Sequence, residues 1–289
     1  MIPKGRSHLF WQSVHAGANK AAGENQVQIL WSGPATETDF NGQLQIIDAM
    51  INQGVDAIAV APIDKTVMVS AVDRAAKQGI PVIIFDSPVD TPNFVAQVAT
   101  DNYHAGEMAA ARVKEILHGK GQVAIVAVQV GGASTMAREK GFEDAIKSDA
   151  PGIQIMDKRY GNADFAQSLA VAENLLTTYP ALDALFASNE SSAVGSAQAL
   201  KSRKSRVKLV GFDSSPTLIE DLKAGLIDSL VVQNPFKMGY DSVQAAVMKL
   251  KGGTPQKIQN LAPRVVTKQD LSDPAVQAQL NPDLEKYLK

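Results

Sequence analysis

Short apolar runs alternate along this chain with longer stretches in which apolar residues recur every three or four positions, the rhythm of strands and helices in turn. From Ser7 to about Gly23 the spacing of Phe10, Val14 and Ala18 predicts a helix. Residues 27–31 read as a strand. The next helix carries Leu44, Ile47 and Ile51, with Thr36 as its cap and Gly54 at its end. Residues 57–61 form a strand closed by Pro62, Asp64 or Thr66 caps a helix that Gly79 ends, and residues 82–86 form another strand. Strands and helices alternating across short loops predict a parallel, doubly wound sheet.

A short strand at 95–99 leads through residues 100–102 into a helix at 103–118. A second alternation begins at Gln122. Its strands fall at 123–128, 153–156, 184–187 and 207–212. Its helices fall at 136–147, from the cap Asp164 to 179, and from Ser191 or Ser192 to 200. Pro216 opens a short helix that Gly225 stops, and residues 229–233 form a strand. The helix at 236–250, apolar at Met238, Val243, Val247 and Leu250, is extra to this second unit; a strand at 263–267 and a polar tail follow. A simple tandem divides near Gly121. If the extra helix packs on the first unit, the chain crosses near 101–102, 233–235 and 262–263. One lobe is then 1–102 with 236–262, the other 103–235 with 263–289. Several crossings would confine lobe motion to opening and closing.

The two halves share an echo. Residues 82–88 and 209–216 are each an apolar run that stops at Phe-Asp-Ser and then meets proline. In open α/β sheets ligands bind at the carboxyl ends of strands. Asp86 and Asp213 are therefore expected to face one shared ligand, the alternative being two aspartates that merely cap loops or helices.

Composition removes several possibilities. A length of 289 residues suits two domains, and a net charge of −2 gives nothing that favours nucleic acid or an anionic membrane. The basic run at 201–206 follows a helix and reads as its solvated end. Cysteine is absent, which excludes thiol chemistry and suits an oxidising compartment. No run is long and apolar enough to span a membrane. Because the chain starts abruptly where a first strand is expected, a strand and an export signal upstream of Met1 are expected too.

Runs along the whole chain resemble the periplasmic sugar-binding proteins of ABC transporters, the ribose-binding group. They are Gly-Val-Asp-Ala-Ile at 54–58, Gly-Ile-Pro-Val at 79–82, Ile-Phe-Asp-Ser at 84–87 and Ala-Thr-Asp-Asn at 99–102. Further on come Ala-Arg-Glu-Lys-Gly-Phe at 137–142, Ala-Asp-Phe at 163–165, Ala-Leu-Phe-Ala-Ser-Asn at 184–189, Val-Gly-Phe-Asp at 210–213 and Val-Gln at 232–233. The resemblance implies two Rossmann-like lobes joined by a three-strand hinge, closing on a sugar. It implies ligand contacts from Asp86, Arg138, Asn189, Asp213 and Gln233, and an aromatic sandwich from Phe10, Trp11 and Phe165, with Trp11 expected to face the ligand more than Phe10. It also implies a periplasmic location and docking on permease subunits, with a chemoreceptor as a further partner. Two departures stand out. His8 replaces an asparagine, and Ser87 replaces an arginine that would give a bidentate donor. Lys4 and His8 are candidates to restore donors there, so a pentose, hexose, polyol or amino sugar all remain open.

These residue types suit a polyhydroxylated ring. Carboxylates accept from hydroxyls, arginine donates to them, amides do both, and aromatic faces cover the apolar ring faces. Two other readings compete. The sensor domain of a LacI-type regulator shares this fold but brings a helix-turn-helix that these residues lack. An enzyme using Asp86 and Asp213 as acid and base is the other, but nucleophile-elbow, P-loop and metal-protease motifs are absent and the four histidines are scattered. No cofactor or metal is expected. Asp101 is either a hinge cap or a ligand contact.

Overall fold

The computed structural model describes residues 1–288. The chain opens with Ile2 bridged to Val60 and then enters helix α1 (Leu9–Asn25). Helix α2 (Phe40–Gln53), strand β1 (Ile58–Val60), helix α3 (Val69–Lys77), and strands β2 (Val82–Phe85) and β3 (Ala96–Thr100) follow. β1, β2 and β3 pair in parallel and are buried almost throughout, as expected of a sheet covered by helices on both faces. The chain then leaves this lobe. Helix α4 (Asn102–Ile116), strand β4 (Gly121–Ala127), helix α5 (Ala133–Asp149), strand β5 (Ile153–Tyr160), helix α6 (Phe165–Thr178) and strand β6 (Ala184–Ala187) come next. Helix α7 (Glu190–Ser202), strand β7 (Lys208–Phe212), helix α8 (Pro216–Ala224) and strand β8 (Ser229–Val232) complete the second unit.

Helix α9 (Pro235–Leu250) returns to the first lobe, where Met238, Ala245 and α1's Phe10, Trp11 and Val14 share one core with β2 and β3. Strand β9 (Ile258–Leu261) joins the first sheet parallel to β3. Strand β10 (Arg264–Thr267) crosses back and pairs antiparallel with β8. The sheet orders are therefore β1-β2-β3-β9 and β10-β8-β7-β6-β4-β5. The fold is α/β, with two doubly wound lobes joined by the three segments that follow β3, β8 and β9.

The structure corrects several readings. Residues 27–31 take up no sheet ladder; they lie beside Met1, whose terminal nitrogen donates to the Leu30 carbonyl at 2.6 Å. A strand needs a partner of its own length, and Met1 supplies one short stretch. Strand β9 reads Ile-Gln-Asn-Leu, mixed and largely exposed, so no continuous apolar run announces it. Asp39, not Thr36, caps α2, and Asn189, not Ser191 or Ser192, caps α7. Asp101 is the cap of α4, its carboxylate accepting from the His104 amide. In the tail, helix α10 (Pro274–Leu280) packs into the second lobe's core through Val276 and Leu280. Helix α11 (Leu284–Tyr287) instead lies back on the first lobe: Asn19 donates to the Tyr287 carbonyl at 2.7 Å, and the Tyr287 ring meets Phe236 of α9. The tail thus divides between the lobes instead of staying with the second.

Candidate functional site

Both echoed strands end in the same local geometry. Asp86 follows β2 with φ 62° and donates its amide to the Val98 carbonyl at 3.0 Å. Asp213 follows β7 with φ 66° and donates its amide to the Val231 carbonyl at 2.9 Å. Left-handed backbone costs a non-glycine residue on the order of 1 kcal/mol, and aspartate tolerates it better than most. The turn swings each carboxylate off the strand axis into the space between the lobes. Both line one narrow cavity there, of about 20 Å³, so the lobes as they stand leave room for a water or so between these side chains and must part to admit anything larger.

The charges around this cavity are buried in opposed groups. The Lys4 ammonium lies 2.6 Å from Asp86 and donates to the Ser134 hydroxyl at 2.9 Å. His8 Nδ1 lies 2.8 Å from Glu37, and its Nε2 faces the Ala163 carbonyl at 3.1 Å. Both ring nitrogens face acceptors, so the imidazolium is the form that satisfies both. Burial alone would lower the pKa of His8; the charge and hydrogen bond of Glu37, with Glu190 and Asp213 behind it, outweigh that and raise it to about 9. Glu37 is held below the usual carboxylate range: burial opposes this, but His8, Lys4 and the Trp11 indole, which donates to it at 2.7 Å, prevail. Arg138 projects from α5, donates to Asn102 at 2.8 Å and to the Ser188 carbonyl at 3.0 Å, and stacks its guanidinium 4.0 Å from the centre of the Phe212 ring. It makes no surface pair with Glu139 or Asp144.

Asp213 accepts from Gln233 at 2.7 Å and from the Glu190 amide at 3.0 Å. Burial pushes its carboxyl up, with Arg138 and Gln233 opposing. Gln233 in turn accepts from Thr100 at 2.6 Å, so the segments following β3 and β8 are tied together beside the site. Asn189 spends its side-chain oxygen on the α7 cap, accepting from the Ser192 amide at 2.9 Å.

Nine of the ten predicted residues line this cavity: Lys4, His8, Phe10, Trp11, Asp86, Arg138, Asn189, Asp213 and Gln233. Phe10 and Trp11 both reach it, their rings edge to face at 4.8 Å. Phe165 does not line it; half-buried at the start of α6, it meets the His8 ring edge-on at 5.1 Å. Sequence reading missed Glu37, Ser134, Thr135 and Glu190. Glu190 looks in sequence like an ordinary acid in the first turn of a helix, where the dipole favours it. Glu37 sits in a loop with no motif around it. A larger groove of about 510 Å³ runs along Met1, residues 26–30 and α9, and shares no lining residue with this cavity.

Two pseudo-equivalent strand tips facing one polar cavity between two doubly wound lobes is an arrangement with known relatives. A model of the periplasmic binding protein domain matches residues 1–254. The chain belongs to that family. Among its relatives, the ribose import binding protein of Bacillus subtilis is 29% identical over 86% of this chain and 80% of its own length. The D-allose-binding periplasmic protein of Escherichia coli K12 is 30% identical over 88% and 84%. A carbohydrate transporter solute-binding protein from Agrobacterium radiobacter, solved in complex with D-arabinose, superposes with a TM-score of 0.93 at 34% identity, covering 97% of each chain. The chain's two lobes and the crossings between them are thus shared with proteins named for ribose import, D-allose binding and carbohydrate transport. Among the described residues no helix is long and apolar enough to cross a membrane.

Proposed function

We propose that this chain is the solute-binding component of an ABC importer: it captures a monosaccharide or related polyol by closing two lobes over it and delivers it to membrane permease subunits outside the cytoplasm. The observation that carries this reading is that Asp86 and Asp213, from separate sheets, face one buried cavity. The moving bodies are residues 1–102 with 236–262 and residues 103–235 with 263–280, with the last helix riding on the first body. Asp86 and Asp213 accept from ring hydroxyls, Arg138, Lys4 and His8 donate to them, Asn189 and Gln233 do either, and Phe10 and Trp11 cover an apolar ring face. Phe165 supports the site through His8.

Binding without turnover fits the state of the two aspartates. Lys4 sits on Asp86, while Gln233 and a backbone amide hold Asp213, so neither carboxylate is poised as a free acid or base. A thermal-shift panel of pentoses, hexoses, polyols and amino sugars tests the proposal, because a ligand selective for the native state raises the melting temperature by mass action. At least one neutral sugar or polyol is expected to raise it, and Asp213→Ala is expected to abolish that rise. A panel with no stabilising compound, or a sugar consumed by the pure protein, contradicts the reading.

A further inference from the structure

Helix α1 of the first lobe starts without a cap of its own. Its N-cap residue is His8, whose side chain makes no capping bond because both ring nitrogens are engaged elsewhere. The first amides of a helix need acceptors, and leaving them unmet in a buried place is costly. Here the acceptor comes from the other lobe. Glu190, the first residue of α7, reaches across: the Leu9 amide donates to its Oε1 at 3.2 Å and the Phe10 amide to its Oε2 at 3.0 Å. The residue is only 4% exposed. Burial pushes its carboxyl up to about 7, while the charge of His8 and the two α1 amides favour the carboxylate.

Glu190 is rigidly seated on its own side. Its backbone amide donates to Asp213, and the preceding Asn189 caps the same helix. The contact to α1 therefore cannot survive separation of the lobes by side-chain stretch alone. Parting the lobes frees the α1 amides and the carboxylate together. Other bonds cross nearby, from Gln129 to the Glu37 carbonyl at 2.8 Å and from the Lys65 amide to the Gly131 carbonyl at 3.2 Å. Lys4 also crosses to the Ser134 hydroxyl at 2.9 Å and His8 to the Ala163 carbonyl at 3.1 Å, but each of these is a single bond, whereas Glu190 takes both leading amides of one helix.

We propose that Glu190 is an interlobe latch: by capping α1 from the opposite lobe it holds the two lobes in the arrangement seen here, so that this arrangement is populated in solution with no sugar added. It is a positioning residue, since it acts on closure through α1. The inference goes beyond sugar binding and holds or fails whatever the ligand is.

The chain has no cysteine, which makes double spin labelling clean. Asn41→Cys and Ala166→Cys place labels on exposed positions in the first turns of α2 and α6, one per lobe. Electron–electron distance measurements on protein refolded from denaturant, to strip any bound sugar, then report the lobe separation. In the otherwise native chain the distance of this structure is expected as a populated peak. Glu190→Ala should lower the ratio of that peak to longer distances roughly tenfold, the effect of losing bonds to a charged acceptor. Glu190→Gln keeps one acceptor oxygen and should fall between the two. Each variant's melting transition confirms that it is folded. The latch is overturned if the native residue gives long distances alone, or if Glu190→Ala leaves the distribution unchanged. It is equally overturned if both variants match the native chain while sugar binding persists, a result that would leave the proposed function standing.

Discussion

The ion pair of His8 and Glu37 ties residue chemistry to solution behaviour. His8 has its pKa raised from 6.5 to about 9 in the folded protein, so its stabilisation is complete below pH 6.5 and lost as pH rises through 9. Glu37 is shifted down, so its contribution is present above pH 4.5 and lost on acidification. Burial raises Glu190 to about 7, with Asp213 adding to it and His8 and the α1 amides opposing. Its effect therefore declines over a lower interval, from pH 4.5 through 7. The His8 contribution to stability is expected to fall as pH rises from 6.5 to 9, by a free energy on the order of 3 kcal/mol. Calorimetry of His8→Gln across that range should show a flatter decline; an unchanged slope contradicts the assignment. Arg138 shows a second consequence of burial. Because it is bonded to Asn102 and Ser188 and stacked on Phe212, Arg138→Ala should destabilise the sugar-free protein by about 1–3 kcal/mol, besides weakening sugar binding. Denaturant melts measure the first effect separately from the second.

The two lobes repeat one packing device at the level of helices. In the first, α1 crosses α9 with Gly17 against the Phe236 carbonyl and Gly239 against the Val14 carbonyl. In the second, α4 crosses α5 with Gly106 against the Arg138 carbonyl and Gly141 against the Tyr103 carbonyl. A Cβ at any of the four would land on a backbone oxygen of the partner helix, which cannot swing aside as a side-chain tip can. Gly239→Ala and Gly141→Ala are each expected to destabilise by about 1–3 kcal/mol, the usual cost of overpacking, read from denaturant midpoints. The two should differ in function. Gly141 lies one turn from Arg138 on α5 and should lower sugar affinity as well, whereas Gly239 meets the backbone of Val14 and Ala18 in α1. Helix ends were partly legible in the sequence. Gly54, Asp164, Pro216 and Gly225 mark the boundaries they were expected to mark. Caps with several candidates nearby were not, since the choice of Asp39 over Thr36 depends on where the loop delivers each side chain.

At the scale of the whole molecule three crossings, after β3, β8 and β9, tie the lobes together, and the closure proposed above would turn about them. The latch sets how far that equilibrium already leans before a sugar arrives. Small-angle scattering should show the radius of gyration shrinking when the protein is saturated with whichever sugar the melting panel selects. The contraction should be larger in Glu190→Ala, which starts more open. Equal contraction in both counts against a latch, and none in either counts against closure.

The echo of Phe-Asp-Ser, the alternation of strands and helices, and the order of the family-like runs belong to the sequence, because buried parallel strands demand apolar runs and their tips demand turn-tolerant polar residues. Those patterns sufficed to assign the fold class and to name most of the residues that meet at the cavity. Tertiary structure alone decided what depends on partners distant in the chain. The mixed run Ile-Gln-Asn-Leu at 258–261 became a strand because β3 offered it an edge, and residues 27–31 stayed outside the ladder for want of a comparable neighbour. Glu37 became the counter-ion of His8, and Glu190 the cap of a helix 180 residues away, for the same reason. A local pattern records what a residue does for its own helix or strand; it carries no trace of a bond made across the gap between two lobes.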